Sequence, residues 1–181
     1  MTYEGTVPAW SVCLGCGLRL PASGQPPDRR QNASSECWAV YGDVLGFELS
    51  HLVPLGRYHQ LMVDTYGAQH GGANARSIRI AYSLVGLFLA LERGWDGLEV
   101  RRAHQRMGKP DPSWPSFDRP PEVGTVTVLD AAEAGVRADS VAGHADAVGR
   151  WARSAWQAWS AQHRAAGALA ERLLGDAGLM R

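Results

Sequence analysis

The chain is poor in cysteine and in long apolar runs, and each shortage excludes a class of protein. Its 181 residues contain three cysteines, an odd and small number that makes a disulfide scaffold a poor explanation. The most apolar run, LVGLFLAL at residues 84–91, is too short to span a membrane. The start MTYEGTVPAW lacks the basic and apolar regions of a secretory signal. We therefore expect a cytoplasmic protein with no membrane partner.

Net charge is also lacking. The 18 basic and 18 acidic residues cancel, so no overall positive field would attract nucleic acid. No glycine-rich turn joins a clear strand to a helix, so the fingerprints of P-loop and dinucleotide-binding proteins do not occur. We expect no nucleic-acid partner and no nucleotide cofactor, whereas a small molecule, a protein partner or a second copy of the chain stays open.

What the sequence does have is helical periodicity. It predicts a mainly α fold, a single domain over residues 1–181 that resembles a four-helix bundle. Four segments are expected: an irregular N-terminal segment at 1–33, three helices at 34–93, a long Pro-rich connection at 94–140, and one long C-terminal helix at 141–175. The connection is expected to contain a short helix and, further along in VGTVTVL, a strand.

The stretch CLGCG at residues 13–17 has the form of a zinc knuckle. Cys13 and Cys16 are separated by two residues, a spacing that allows both thiolates to bind one ion, and the glycines permit the turn. Cys37 is the third candidate ligand, because it opens a predicted helix and a helix N-terminus stabilises a thiolate. A redox pair, or two cysteines with no special role, are the alternatives for this motif.

The fourth ligand follows from helix geometry. The first two predicted helices are joined by the short connector LVPLG and should run antiparallel, which brings His70 beside Cys37. His59 lies about 16 Å from His70 along the same helix, so the two cannot share an ion. We predict a Zn²⁺ site formed by Cys13, Cys16, Cys37 and His70, with His163 and His59 as alternatives in the fourth place. A Cys3His set is normally structural.

The same antiparallel arrangement places Glu48 near His59. Such a pair in a partly apolar site could act as general acid and base, or bind a second metal. His163 shares a face of the last helix with Trp156 and Trp159, and could be the polar group of an apolar pocket. We therefore take Glu48, His59 and His163 as candidate catalytic residues, although a buried His–Glu hydrogen bond and an aromatic core stripe explain the same patterns.

With these motifs in place, the chain resembles a family of short bacterial proteins classified as a domain of unknown function. The likeness rests on CLGCG, ECWAVY, YHQLMVDTYGAQH, LVGLFLALERG, TVTVLDA and WARSAWQAWSAQH. Family members typically have proline where this chain has Gly71, and often histidine where it has Ser83. The resemblance implies single-domain folding and metal binding, and no particular reaction. A looser likeness to metal-binding four-helix proteins of the DinB type is one of architecture alone.

Two function classes follow. The first is a zinc-binding protein with a small-molecule pocket, as in a biosynthetic enzyme that uses Glu and His side chains. A pocket lined by Glu48 and His59 would argue for it. The second is a non-catalytic interaction module stabilised by zinc, which predicts an exposed apolar face at Trp156 and Trp159. Redox sensing through Cys13 and Cys16 is a third reading and predicts a reactive thiol pair without metal.

Overall fold

The described part of the chain begins with a short hairpin. The computed structural model describes residues 9–72, 76–108 and 114–175. Strands β1 (Trp10–Val12) and β2 (Arg19–Pro21) pair antiparallel, with Ser11 opposite Leu20. The segment was expected to be irregular, but a strand of three residues is too short to give a period-two pattern. The turn of this hairpin carries Cys13 and Cys16, so the hairpin positions two of the predicted ligands.

The rest of the described chain is mainly helical, which confirms the predicted fold class. The helices are α1 (Ser35–Ser50), α2 (Leu52–Gln69), α3 (Ser77–Leu91), α4 (Gly97–Met107), α5 (Val128–Ala131), α6 (Val141–Ala158) and α7 (His163–Leu174). A π-helical turn at Ala132–Arg137 follows α5, and a 3-10 turn at Ser160–Gln162 precedes α7.

Helices α1 and α2 form the hairpin that carries most of the polar groups of interest. Ser34 caps α1, its hydroxyl accepting a hydrogen bond from the Cys37 N–H at 3.2 Å. The predicted inward stripe of α1 is buried from Cys37 to Glu48. The expected connector LVPLG is instead the start of α2, because Pro54 falls in the first turn, where its missing N–H costs no helical hydrogen bond. Only His51 separates the two helices.

The core consists of two apolar clusters that meet at α2. One is built around α3, buried over most of its length, together with α4, α7 and the end of α6. The other joins α1, α2, α5 and α6, and includes Cys13, Cys37, Tyr66 and Trp151. The three predicted cysteine ligands therefore belong to the second cluster or pack against it, at the open end of the α1–α2 hairpin.

Two expected elements differ from the structure. The strand expected in VGTVTVL is absent from the described residues; Thr127 instead caps α5 and forms a capping box with Asp130, whose carboxylate accepts from the Thr127 N–H at 2.7 Å. The single helix expected over 141–175 is broken after Ala158. Trp159 ends α6 there, buried, with its indole N–H donating to the Ala68 carbonyl at 3.2 Å.

Candidate metal centre

The four predicted ligands come together. Their ligand atoms all lie within 4.8 Å of one another, so the group could hold a metal ion. Cys13 Sγ and Cys37 Sγ are each 3.4 Å from His70 Nε2, and Cys16 Sγ is 3.8 Å from Cys37 Sγ. Cys16 is half-buried, and the other three are buried. The antiparallel docking of α2 on α1 accounts for the meeting of Cys37 and His70, which are far apart in sequence.

The knuckle turn is held by its own backbone. The Cys13 N–H donates to the Leu18 carbonyl and the Gly17 N–H to the Cys13 carbonyl, both at 2.9 Å. Gly17 has φ of 75°, a left-handed conformation that favours glycine. Gly15 packs against His70, and a Cβ there would overlap the imidazole ring and the Asn32 carbonyl. Gly15 therefore lets the turn close over the histidine, whereas Gly17 supplies the left-handed backbone conformation of the turn.

His70 is oriented by groups outside the ligand set. Its Nδ1 lies 2.8 Å from the Tyr66 carbonyl oxygen, which can only accept, so Nδ1 carries the proton and Nε2 presents its lone pair to the cysteines. The Tyr66 ring stacks on the imidazole with centroids 3.8 Å apart, and its hydroxyl is 3.7 Å from Cys37 Sγ. Asn32 Nδ2 donates to the His70 carbonyl at 3.2 Å. The histidine is thus fixed in the tautomer that a metal requires.

The electrostatics of the cluster favour a cation. Hydrogen bonds from the Cys16 and Cys37 thiols lower the pKa of Cys13. The bond with Cys13 in turn raises the pKa of Cys16 to about 12, and it also raises the pKa of Cys37. The three thiols therefore resist ionising together in the absence of a cation. A divalent ion would supply the charge that lets all three ionise. Three thiolates and one imidazole form a ligand set typical of closed, tetrahedral zinc sites.

A second polar cluster lies at the other end of the α1–α2 hairpin. Glu48, only 1% exposed, accepts on both oxygens: Oε2 is 2.9 Å from His59 Nδ1, and Oε1 is 2.9 Å from His144 Nε2. The His59 side chain is 32% exposed, and His144 is fully buried. The expected proximity of Glu48 and His59 is present. His144 was not predicted from the sequence, although it lies on the buried stripe of α6 with Val148 and Trp151.

His163, the third candidate catalytic residue, lies elsewhere. It begins α7, its Nε2 is 2.8 Å from the Trp156 carbonyl oxygen, and its ring stacks on the Trp156 indole with centroids 3.7 Å apart. Trp156 and Trp159 are buried in the core. The exposed tryptophan face expected of an interaction module is therefore not formed by these residues.

The fold and site define a mainly helical protein with a buried Cys3His cluster. Residues 11–160 match the model of a family of unknown function, DUF5946, and the chain belongs to that family. The matched range contains all four residues of the cluster. No curated protein and no solved structure matches the chain. Across the described helices, none is both long and apolar enough to cross a membrane.

Proposed function

We propose that this protein binds one structural Zn²⁺ through Cys13, Cys16, Cys37 and His70. The observation that supports the proposal is the convergence of four soft or borderline donors from three separate segments within 4.8 Å. The ion would join the β1–β2 hairpin to α1 and α2. All four coordination positions would be taken by the protein, so zinc chemistry on a substrate is not part of the proposal.

The test is metal content per chain, measured by elemental analysis on protein purified without added metal or chelator. Wild type is expected to contain one zinc per chain. Cys37→Ser should lose most of it, and should be less stable by several kcal/mol, because structural zinc contributes about 10 kcal/mol or more in small domains.

Ala39→Ser is the matched control, since Ala39 is exposed on the same turn of α1 and receives the same new side chain. It should retain the zinc and the stability of wild type. Zinc that stays bound in Cys37→Ser, or a wild type that contains no metal, would show that the proposal is wrong.

A second candidate function is acid–base chemistry by His59. Glu48 accepts the Nδ1–H of His59 at 2.9 Å from a buried position, while the half-exposed ring leaves Nε2 as the free base. A carboxylate that orients a histidine in this way is a recurring arrangement in hydrolytic sites. It supports an enzyme acting on a small molecule. His163, bonded to the Trp156 carbonyl, is not required for this step.

A further inference from the structure

A cleft of about 340 Å³ lies between the first four helices. Its lining includes Trp38 and Tyr41 from α1, Asp64 from α2, Arg79 and Ser83 from α3, and His104 from α4. We call it the inner cleft. Glu48 and the candidate histidines 59 and 163 do not line it. Tyr66, which stacks on His70, forms part of its wall beside the Cys3His cluster. Its volume is at the lower end of the range for small-molecule pockets.

The floor of the inner cleft holds two unpartnered polar atoms. Asp64 Oδ2 and His104 Nε2 are buried and make no hydrogen bond within the described structure, and they lie 3.9 Å apart. The other oxygen of Asp64 accepts from Gln60 Nε2 at 3.1 Å. Burial raises the pKa of Asp64 well above its ordinary value and lowers that of His104 to about 4. A buried polar atom without a hydrogen bond destabilises the fold, and a ligand bonded to both atoms would remove that penalty.

The separation of these two atoms indicates what fits between them. Two ligand atoms on one metal ion, each about 2.1 Å from it at angles of 90–109°, lie about 3.0–3.4 Å apart. Two hydrogen bonds of about 2.8 Å that meet at one oxygen or nitrogen at similar angles place the outer atoms about 4.0–4.6 Å apart. The observed 3.9 Å is closer to the second range. A hydroxyl or amino group fits this position better than a metal ion.

The mouth of the inner cleft is basic. Arg79 also lines a wider adjoining groove of about 730 Å³, together with Arg29, Arg30 and Arg76. Burial lowers the pKa of Arg79. Arg79 Nε and Ser83 Oγ both approach the position that a Cβ on Gly67 would occupy, so polar groups continue from the mouth inward. An arginine at the entrance suits a carboxylate or a phosphate.

We propose that the inner cleft binds a small organic anion that also carries a hydroxyl or amino group. That group lies between Asp64 Oδ2 and His104 Nε2, and the carboxylate or phosphate pairs with Arg79. Both ends of the ligand then meet groups that can bond to them, while the aromatic walls from α1 pack on its carbon chain.

The experiment is ligand-observed NMR on the zinc-loaded full chain with a defined set of probes. Glycerol 3-phosphate, O-phosphoserine, glycerate and serine carry both groups. Glycerol, inorganic phosphate and propionate each lack one of the two. We expect at least one of the first four to bind at millimolar concentration or below, and more tightly than the three incomplete probes.

Three variants identify the site. Asp64→Asn, His104→Gln and Arg79→Gln should each weaken binding of that probe about tenfold or more, whereas Arg102→Gln, an exposed position on α4, should not. Circular dichroism and zinc content verify that each variant is folded. If Arg79→Gln does not fold, Arg79→Lys takes its place, because lysine keeps the positive charge. Retained zinc with lost probe binding separates this proposal from the zinc site.

Three outcomes would overturn the proposal. The first is that none of the four complete probes binds. The second is binding that is unchanged in all three variants. The third is a second equivalent of Co²⁺ that binds to wild type and is lost in Asp64→Asn and His104→Gln, because the inner cleft would then be a metal site.

Discussion

At the residue scale, one buried carboxylate is shared by two histidines. Glu48 is buried and bonded on both oxygens, so its position is determined by its neighbours. His144 Nδ1 has no hydrogen-bond partner in the described structure, and it packs against Gly135, where a Cβ would come within 2.7 Å of the ring. His144 is thus enclosed and holds Glu48 in place, while His59 reaches solvent.

The solvent exposure of His59 and its bond to Glu48 predict its chemical reactivity. Diethyl pyrocarbonate modifies the unprotonated nitrogen of a neutral imidazole, and the Glu48 carboxylate increases the electron density on His59 Nε2. Modification of His59 should be several-fold slower in Glu48→Gln than in wild type, as followed by mass spectrometry of the modified peptide. Glu133→Gln, an exposed exchange of the same type, should leave the rate unchanged. Equal rates in wild type and Glu48→Gln would exclude the proposed role of Glu48.

At the element scale, the β1–β2 hairpin has few attachments to the helices. Ser23 on the chain after β2 donates to Glu36 at 2.6 Å, and Arg119 donates to the Gly15 carbonyl. The hairpin buries little of its own apolar surface, since Trp10, Val12 and Leu14 are more than half exposed. The four-ligand cluster is therefore its main connection to α1 and α2.

Removal of the proposed zinc should accordingly release the hairpin before it affects the helices. We expect hydrogen exchange at the Cys13, Gly17 and Ala22 amides, which bond within the hairpin, to become about tenfold faster or more on treatment with a chelator. Amides of α6 should change little, because their protection comes from the core around Trp151. The measurement is exchange followed by mass spectrometry with and without chelator; uniform acceleration across the chain would contradict this account.

Several elements could be predicted because their pattern is local. The inward stripe from Cys37 to Glu48 and the meeting of Cys37 with His70 follow from helical spacing and a short connection. The break after Ala158 could not be predicted this way, since the Ala-rich pattern continues across it and the break depends on the long-range bond from Trp159 to Ala68. The T-x-x-D spacing of Thr127 and Asp130 indicates the capping box of α5, but the alternating TVTV pattern favoured a strand.

At the scale of the whole molecule, the inner cleft could not be predicted from the sequence. Asp64 lies off the stripe of His59, and His104 belongs to a helix whose docking depends on the entire core. No local sequence pattern indicates that Asp64 Oδ2 and His104 Nε2 lie 3.9 Å apart. Buried polar groups brought together by tertiary packing are the features that a periodicity analysis finds least well.

Asp64 should make global stability depend on pH. Its folded pKa is raised above the ordinary 3.8 by burial, so above about pH 4 the folded state binds more protons than the unfolded state and loses stability as pH rises. Asp64→Asn removes this loss. The free energy of unfolding of the variant, relative to wild type, should therefore increase from pH 4 to pH 7 by up to about 1.4 kcal/mol per unit.

Urea unfolding at pH 4, 5.5 and 7 measures this difference. The lowered pKa of His104, about 4, acts in the opposite direction between pH 4 and 6.5. Because His104 lies 3.9 Å from Asp64, the comparison is repeated in a His104→Gln background, which removes this contribution from both proteins. Gln105→Ala, at an exposed position on α4 and without a titratable side chain, should give a difference that does not vary with pH. A constant difference for Asp64→Asn as well would mean that Asp64 is not a buried acid of raised pKa.

The order of the ligands along the chain has a consequence for biosynthesis. Cys13, Cys16, Cys37 and His70 all precede α3, α4 and the C-terminal helices. A ribosome completes the whole ligand set while more than half of the 181 residues remain to be translated. Metal could thus close the α1–α2 hairpin on the nascent chain, and the later helices would pack onto a hairpin whose open end is already fixed.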